Sequence, residues 1–354
     1  MEKKISISIP LIATLFFFSC GQSGHDVGQK PFRVILITDV GGMGDKGFND
    51  AGWAGCQKAK EQLAKRDIMI ETDVIESREQ TDYVDNLNFA AERADAVVAL
   101  GALIADAVEQ TAKHYPDKAF IFVDGRVKGE NVASFDFRSQ EAACLAGILA
   151  AYSSESGTVA VIPGMDIPPV EAYAAGYKAG VMIANAAGGK NAKAISAVIG
   201  SFNDPVKGKS LALSLMNQGA DVLFQLAGNS GLGVIDAVKE APGRRFAIGV
   251  DIDQDDLAPG KILTSVLKRM DRGVAEQVIA VYEKKFYGGI VDVGLKENYT
   301  GLSEMVYTRS FVPPEALELA KRARELIVSG EMAVPRTYAD LETFQPPLER
   351  LKGP

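Results

Sequence analysis

The segment ITDVGGMGDKGFNDAGW, residues 37–53, holds two chemistries that exclude each other. Gly42, Gly44 and Gly47 carry the G-x-G-x-x-G spacing. After a strand and before a helix, that spacing lays a dinucleotide's pyrophosphate on backbone amides and the helix N-terminus. Glu71 and Asp73 lie in the next strand-like run, where such a site keeps an acid for the ribose. Asp39, Asp45 and Asp50, however, crowd the same loop, and a phosphate there meets like charge. A second phosphate-like string, GKS at 208–210, has Asn203 where the Walker glycine belongs, so it reads as solvated helix surface.

An uncharged ligand suits these residues better. Phe48 and Asn49 open the helix after the loop, and Phe202 sits in GSFNDP behind another strand-like run. Two aromatic rings at the mouth of a site can sandwich a planar ring system, each face adding roughly 0.5–1.5 kcal/mol beyond area burial. Asp39 and Asp106 can accept from ring N–H or amino groups. Asp251, closing AIGVD, is placed to accept from two neighbouring hydroxyls, and Lys268 to donate to one of them and neutralise Asp251. Each has a plainer role open to it: Phe48 as a hydrophobic staple, Asp251 as a helix cap, Lys268 as a surface cation. Their common placement around strand ends favours the site. With two histidines and three cysteines in 354 residues, a zinc site or a His-based triad lacks parts. We expect no metal and no cofactor.

These residues need elements to position them. Strand-like runs at 32–38, 68–75, 96–100, 119–124 and 132–137 alternate with helical patterns at 48–65, 79–93 and 102–115. A helix at 139–154 leads to a second series, with strands at 158–162, 192–200, 221–227 and 245–251 and helices at 169–187, 205–218 and 231–240. Such alternation implies right-handed βαβ units on parallel sheets, hence an α/β chain of two doubly wound lobes. A strand-like run at 261–269 and a helix at 271–287 return the chain to the first lobe. The expected lobes are 31–136 with about 266–300, and 137–265 with about 301–354. Ligands of open parallel sheets bind beyond the carboxyl ends of the strands. Asp39, Asp124, Asp251 and residues 200–204 all lie there, and a cleft between lobes sets them face to face.

The N-terminus bears on location. MEKK is a positive start, and ISISIPLIATLFFF, residues 5–18, is apolar and uncharged. This run is shorter than the roughly 20 residues of a membrane-spanning helix and suits a signal peptide. SCG at 19–21 resembles a bacterial lipobox with Phe17 in place of the usual Leu; an ordinary signal with a coincidental Cys is the alternative. On the lipobox reading, residues 1–19 are the signal, Cys20 carries acyl chains, and residues 20–30 are a tether. The protein is then lipid-anchored in the cell envelope, facing periplasm or exterior. Cys56 and Cys144 fall within predicted helices as small buried hydrophobes. A net charge of −8 offers no electrostatic footprint for nucleic acid.

TDVGGMGDKGFN, NVASFDFRSQEAACLAG, PGMDIPPVEAYAAGYKAGV, GSFNDPVKGKSLALSLMNQGADVLFQLAGNSGLGV, AIGVDIDQ and LTSVLKRMD follow one another along the chain. In these blocks, from about Arg33 to Leu302, it resembles the basic-membrane-protein family of periplasmic binding lipoproteins. The best understood members of that family bind purine nucleosides for ABC transporters. The resemblance implies a two-lobed periplasmic-binding-protein-like fold with ligand in the interlobe cleft, no enzymatic reaction, and ABC permease and ATPase subunits as partners. It also implies that Phe48 and Phe202 stack on the base. Asp39, Asn49 and Asp106 would serve the base's polar edge, and Gly228, Asp251 and Lys268 the ribose. Gly44 replaces the family's Asp and Gly47 its Ser, which together create the G-x-G-x-x-G. These changes leave the loop less tightly specified, so a ligand other than a purine nucleoside stays open. So does a surface lipoprotein of this fold acting as adhesin or sensor. An exported nucleoside hydrolase is a third reading, and it would want a metal.

Overall fold

The computed structural model describes residues 30–352, so the signal segment, Cys20 and most of the tether lie outside the described residues. The first series runs β1 (Phe32–Ile37), α1 (Phe48–Ala64), β2 (Ile70–Ile75), α2 (Tyr83–Arg93), β3 (Ala96–Leu100), α3 (Ala105–His114), β4 (Ala119–Val123) and β5 (Val132–Phe137). The second runs α4 (Ser139–Ser153), β6 (Thr158–Pro163), α5 (Pro168–Gly188), β7 (Lys193–Ser196), α6 (Pro205–Asn217), β8 (Val222–Leu226), α7 (Asn229–Glu240), β9 (Phe246–Asp251) and β10 (Ile262–Lys268). The chain then adds α8 (Met270–Tyr282) and β11 (Gly289–Val293) to the first part. It crosses a last time to β12 (Thr300–Leu302), α9 (Pro314–Ser329), α10 (Tyr338–Glu342) and α11 (Leu348–Lys352).

Two six-stranded sheets result, in the orders β11-β5-β4-β3-β1-β2 and β12-β10-β9-β8-β6-β7. Every pairing is parallel except that of β12 with β10. AVVAL and AFIFV are buried along their whole length, as strands covered by helices on both faces must be. Helices α1 and α8 cover one face of the first sheet, α2 and α3 the other. Helices α4, α5 and α9 cover one face of the second sheet, and α6 and α7 the other. Cys56 in α1 and Cys144 in α4 are buried, and burial pushes both thiols up to about 12. They pack as small hydrophobes and do not pair.

The chain crosses between the sheets at Arg138, at Arg269 and over 294–299. These segments lie side by side, since Arg138 N–H donates to the Val293 carbonyl and Arg269 N–H to that of Tyr299, both at 2.8 Å. Three expectations need correction here. β10 stays in the second sheet as far as Lys268, which pairs with Thr300. The crossing therefore falls at Arg269 rather than near 266, and the second lobe resumes at Thr300. The helix expected over 271–287 stops at Tyr282 and is followed by β11, an edge strand that the apolar pattern did not announce. Gly289, at φ 137°, turns the chain into that strand, and Gly288 packs where a Cβ would lie 2.1 Å from the Gly129 carbonyl. The strand expected over 192–200 is confined to β7.

Helices α4 and α5 meet backbone to backbone. A Cβ at Gly147 would lie 2.0 Å from the Tyr177 carbonyl oxygen, and one at Gly180 would lie 2.0 Å from that of Cys144. Gly147→Ala must push the helices apart, at about 1–3 kcal/mol of overpacking. A urea titration should show a lowered midpoint with an unchanged slope. An unchanged midpoint would mean that the helices do not touch there.

Candidate functional site

At the carboxyl ends of the two sheets lies a half-open cavity, lined from both sheets and mostly by apolar groups, with a few polar side chains converging on it as small-molecule sites have. The first sheet contributes Asp39, just beyond β1. Its Oδ1 accepts from the Gly41 amide at 2.7 Å and from Asn49 Nδ2 at 2.9 Å. Its Oδ2 has no partner among the described residues. Gly101, at φ 93°, makes room for this carboxylate, since a Cβ there would lie 2.9 Å from that of Asp39. The second sheet contributes Asp251, the last residue of β9. Its Oδ1 accepts from the Tyr173 hydroxyl at 3.0 Å, and its Oδ2 is likewise free among the described residues. Burial pushes both carboxyls up to about 6.

Lys268, at the end of β10, is the only cation lining the cavity among the described residues. Its ammonium donates to both oxygens of Asp124, at 2.9 and 2.7 Å, and lies 3.7 Å from Asp251 Oδ1. The rings of Phe48, Phe137 and Tyr173 surround it at 5.1, 5.5 and 5.2 Å from their centroids, a cation–π enclosure. Burial alone would lower the pKa of Lys268; the charges of Asp124 and Asp251 outweigh it and hold the group protonated. Asp124 and Asp251 both sit at positive φ, 76° and 68°, an uncommon backbone state for residues other than glycine that gathers at functional sites.

The glycine loop is filled by the chain's own carboxylates. Asp45 Oδ1 accepts from the amides of Gly47 and Asp50 at 2.9 and 3.2 Å, and its Oδ2 from the Asn49 amide at 2.9 Å. Asp50 takes the amides of Gly44 and Lys46, and Glu76 that of Met43. The donors a pyrophosphate would need at the start of α1 are therefore occupied. Two other helices start at the cavity. Helix α5 begins with Pro168 and Pro169, which have no N–H. At the start of α7, the Ser230 amide donates to the Phe202 carbonyl at 3.0 Å and the Gly231 amide to that of Gly228 at 2.9 Å. Helix N-termini are ordinarily anion sites, and each of these three has lost donors to prolines or to partners within the protein.

A family model described as "ABC transporter substrate-binding protein PnrA-like" matches residues 32–337. The chain belongs to this PnrA-like family of ABC transporter substrate-binding proteins. An uncharacterized lipoprotein of Pyrococcus furiosus is 32% identical over 93% of this chain and 88% of its own. Basic membrane protein A of Borreliella burgdorferi is 31% identical, over 94% and 96%. The crystal structure of an ABC transporter solute-binding protein from Aeropyrum pernix K1 superposes with a TM-score of 0.80 at 29% identity, covering 88% of this chain and 96% of that one.

In this binding protein seven of the eight residues expected in the site line one cavity: Asp39, Phe48, Asn49, Phe202, Gly228, Asp251 and Lys268. Asp106 does not. It is exposed in the first turn of α3, and the wall there is made by Gly101, Ala102 and Leu103. The carboxylate that enters the cavity from this side of the sheet is Asp124. Lys268 is closest to Asp124, with Asp251 its looser partner. Asn49 lines the cavity, but its amide hydrogens go to Asp39 and to Asp45 Oδ2, and its Oδ1 accepts from the Asp39 amide. It holds Asp39 in place. Phe202 is seated over Gly164, where a Cβ would lie 2.5 Å from its ring. Sequence reasoning missed Tyr173 and the apolar wall of Ile167, Pro169 and Val170, although the paired prolines of DIPPV were a signal for it.

The buried carboxylates make a pH prediction. An unfolded aspartate titrates near 3.9, whereas Asp39 titrates at about 6 in the folded protein. Between those values the folded state keeps a proton that the unfolded chain has released, so stability falls as pH rises from about 4 to about 6. Asp39→Asn removes this penalty. The ligand-free variant should be more stable than wild type at pH 7.5 by on the order of 1–3 kcal/mol, with the gain vanishing near pH 4. Denaturant titrations across that range check it, and a variant less stable at pH 7.5 would contradict it.

Proposed function

We propose that the chain captures a purine nucleoside in this cavity, with the base between Phe48 and Phe202, and delivers it to an ABC permease and its ATPase subunits. The observation that carries this reading is one carboxylate oxygen on each lobe, Asp39 Oδ2 and Asp251 Oδ2, free among the described residues and facing a cavity whose one lysine among those residues is already neutralised. Such a site accepts hydrogen bonds at both ends of its ligand and offers no cation to a phosphate. A nucleoside supplies N–H donors at its base and hydroxyls at its ribose, each charge-assisted bond contributing about 1.5–3 kcal/mol when water is excluded. The lobes, 31–136 with 270–293 and 139–268 with 300–352 on the sheet boundaries, close over it by hinge motion at the three crossings. Cys20 anchors the protein to the membrane in this reading, and the cavity serves binding rather than catalysis.

The test is mass spectrometry of what the purified protein releases on denaturation, then calorimetry with adenosine, guanosine, inosine, cytidine and AMP. A purine nucleoside should be released or bound with sub-micromolar affinity, and AMP should not bind. Asp251→Ala should weaken nucleoside binding at least about tenfold while the protein stays folded. Silence across the panel, or binding of AMP as tight as adenosine, would overturn the reading.

A further inference from the structure

Besides the crossing segments, the ion pairs Lys268–Asp124 and Arg336–Asp136 join the two lobes, and among the described residues one hydrogen bond between uncharged groups does so as well. Gln254, in the turn after β9, donates from Nε2 to the Lys46 carbonyl at 2.7 Å. Gln254 is 2% exposed and is absent from the cavity lining. Its orientation is determined by its own lobe. Oε1 accepts from the Val250 amide at 3.2 Å and from Gln225 Nε2 at 2.9 Å, and the Gln254 backbone amide donates to Ser265 Oγ at 3.0 Å. A backbone amide can only donate, so the carboxamide oxygen must face Val250, which leaves Nε2 for the opposite lobe.

The acceptor is equally specific. Lys46 sits at φ 50°, between Asp45 and Gly47. Asp45 holds Asn49, and Asn49 holds Asp39. Gly47 faces the same junction: a Cβ there would lie 3.8 Å from Gln254 Nε2 and 3.9 Å from the Val250 carbonyl. The bond therefore ends on the loop that orients the first lobe's carboxylate.

We propose that Gln254 is the latch of the cleft, a positioning residue that holds the lobes closed without touching the ligand. Its effect on ligand kinetics rests on the nucleoside reading; its effect on lobe separation does not. The bond belongs to the closed lobes with or without ligand, and its loss speeds their opening, so for a bound ligand the effect falls on release. Gln254→Met keeps the volume and removes the donor. Gln225→Met is the control, because it breaks the same bond within the second lobe but leaves the latch donor and the Val250 bond to Oε1 in place.

In stopped-flow experiments with inosine and adenosine, Q254M should release ligand about tenfold faster than wild type, one hydrogen bond's worth, with the association rate within about twofold. Q225M should behave as wild type. Small-angle X-ray scattering should show a larger radius of gyration for Q254M than for wild type or Q225M without ligand. Equal radii and equal release rates in Q254M and wild type would overturn the latch. So would Q225M reproducing the Q254M effect, which would place the change in the packing of the second lobe. If wild type binds no nucleoside, the reading of the ligand fails, and the ligand-free radii alone decide the latch.

Discussion

The ammonium of Lys268 joins carboxylates that belong to different lobes, Asp124 at the end of β4 and Asp251 at the end of β9. A lone charge buried this deeply would be strongly unfavourable. With an acid on each side and three aromatic rings around it, Lys268 is instead the point on which both strand ends converge. Asp124 and Asp251 accept an uncommon backbone conformation to reach it. The positions of Phe48 and Tyr173, whose rings pack against the ammonium, follow from the same contact. Because this charge is matched within the protein, the cavity is lined by carboxylate oxygens and aromatic faces, with no spare cation among the described residues.

The surrounding backbone reinforces that character. Doubly wound folds aim helix N-termini at the cleft, and by default they attract anions. Here Asp45 fills one, two prolines strip another, and the Phe202 and Gly228 carbonyls occupy the third. The remaining acceptors, one oxygen each on Asp39 and Asp251, are held in burial that raises their pKa and disfavours their charge. A ligand that donates hydrogen bonds to both relieves that strain.

The two-sheet architecture was legible because parallel strands covered on both faces are near-continuous apolar runs, and AVVAL and AFIFV are unbroken ones. Edge strands carry no such mark: IVDV of β11 is mostly half-exposed, and its pairing with β5 depends on Gly288 and Gly289 at a turn whose neighbours are distant in sequence. The site was legible where a residue ends a strand or opens a helix, as Asp39, Phe48 and Asp251 do. Asp106 stands outside the cavity lining, because whether that residue or Asp124 enters the cavity depends on which way a helix's first turn faces. Asn49 was placed correctly beside the cavity, yet its role is set by Asp39 and Asp45, partners that only the folded loop brings together.

Neither lobe is a continuous stretch of the gene. The first sheet takes its edge strand β11 from residues more than 150 positions beyond β5, and the second sheet is finished only after that excursion. A fragment ending at Phe137 would leave β5 as an unprotected edge, the kind of backbone that pairs with other chains, and would lack the α8 cover over Phe135. Recombination can therefore exchange surface loops of this protein, but it cannot graft one half onto another partner in a single cut. A nascent chain likewise leaves the ribosome with both sheets open until α8 and β12 emerge, so the two halves are inherited, and completed, together.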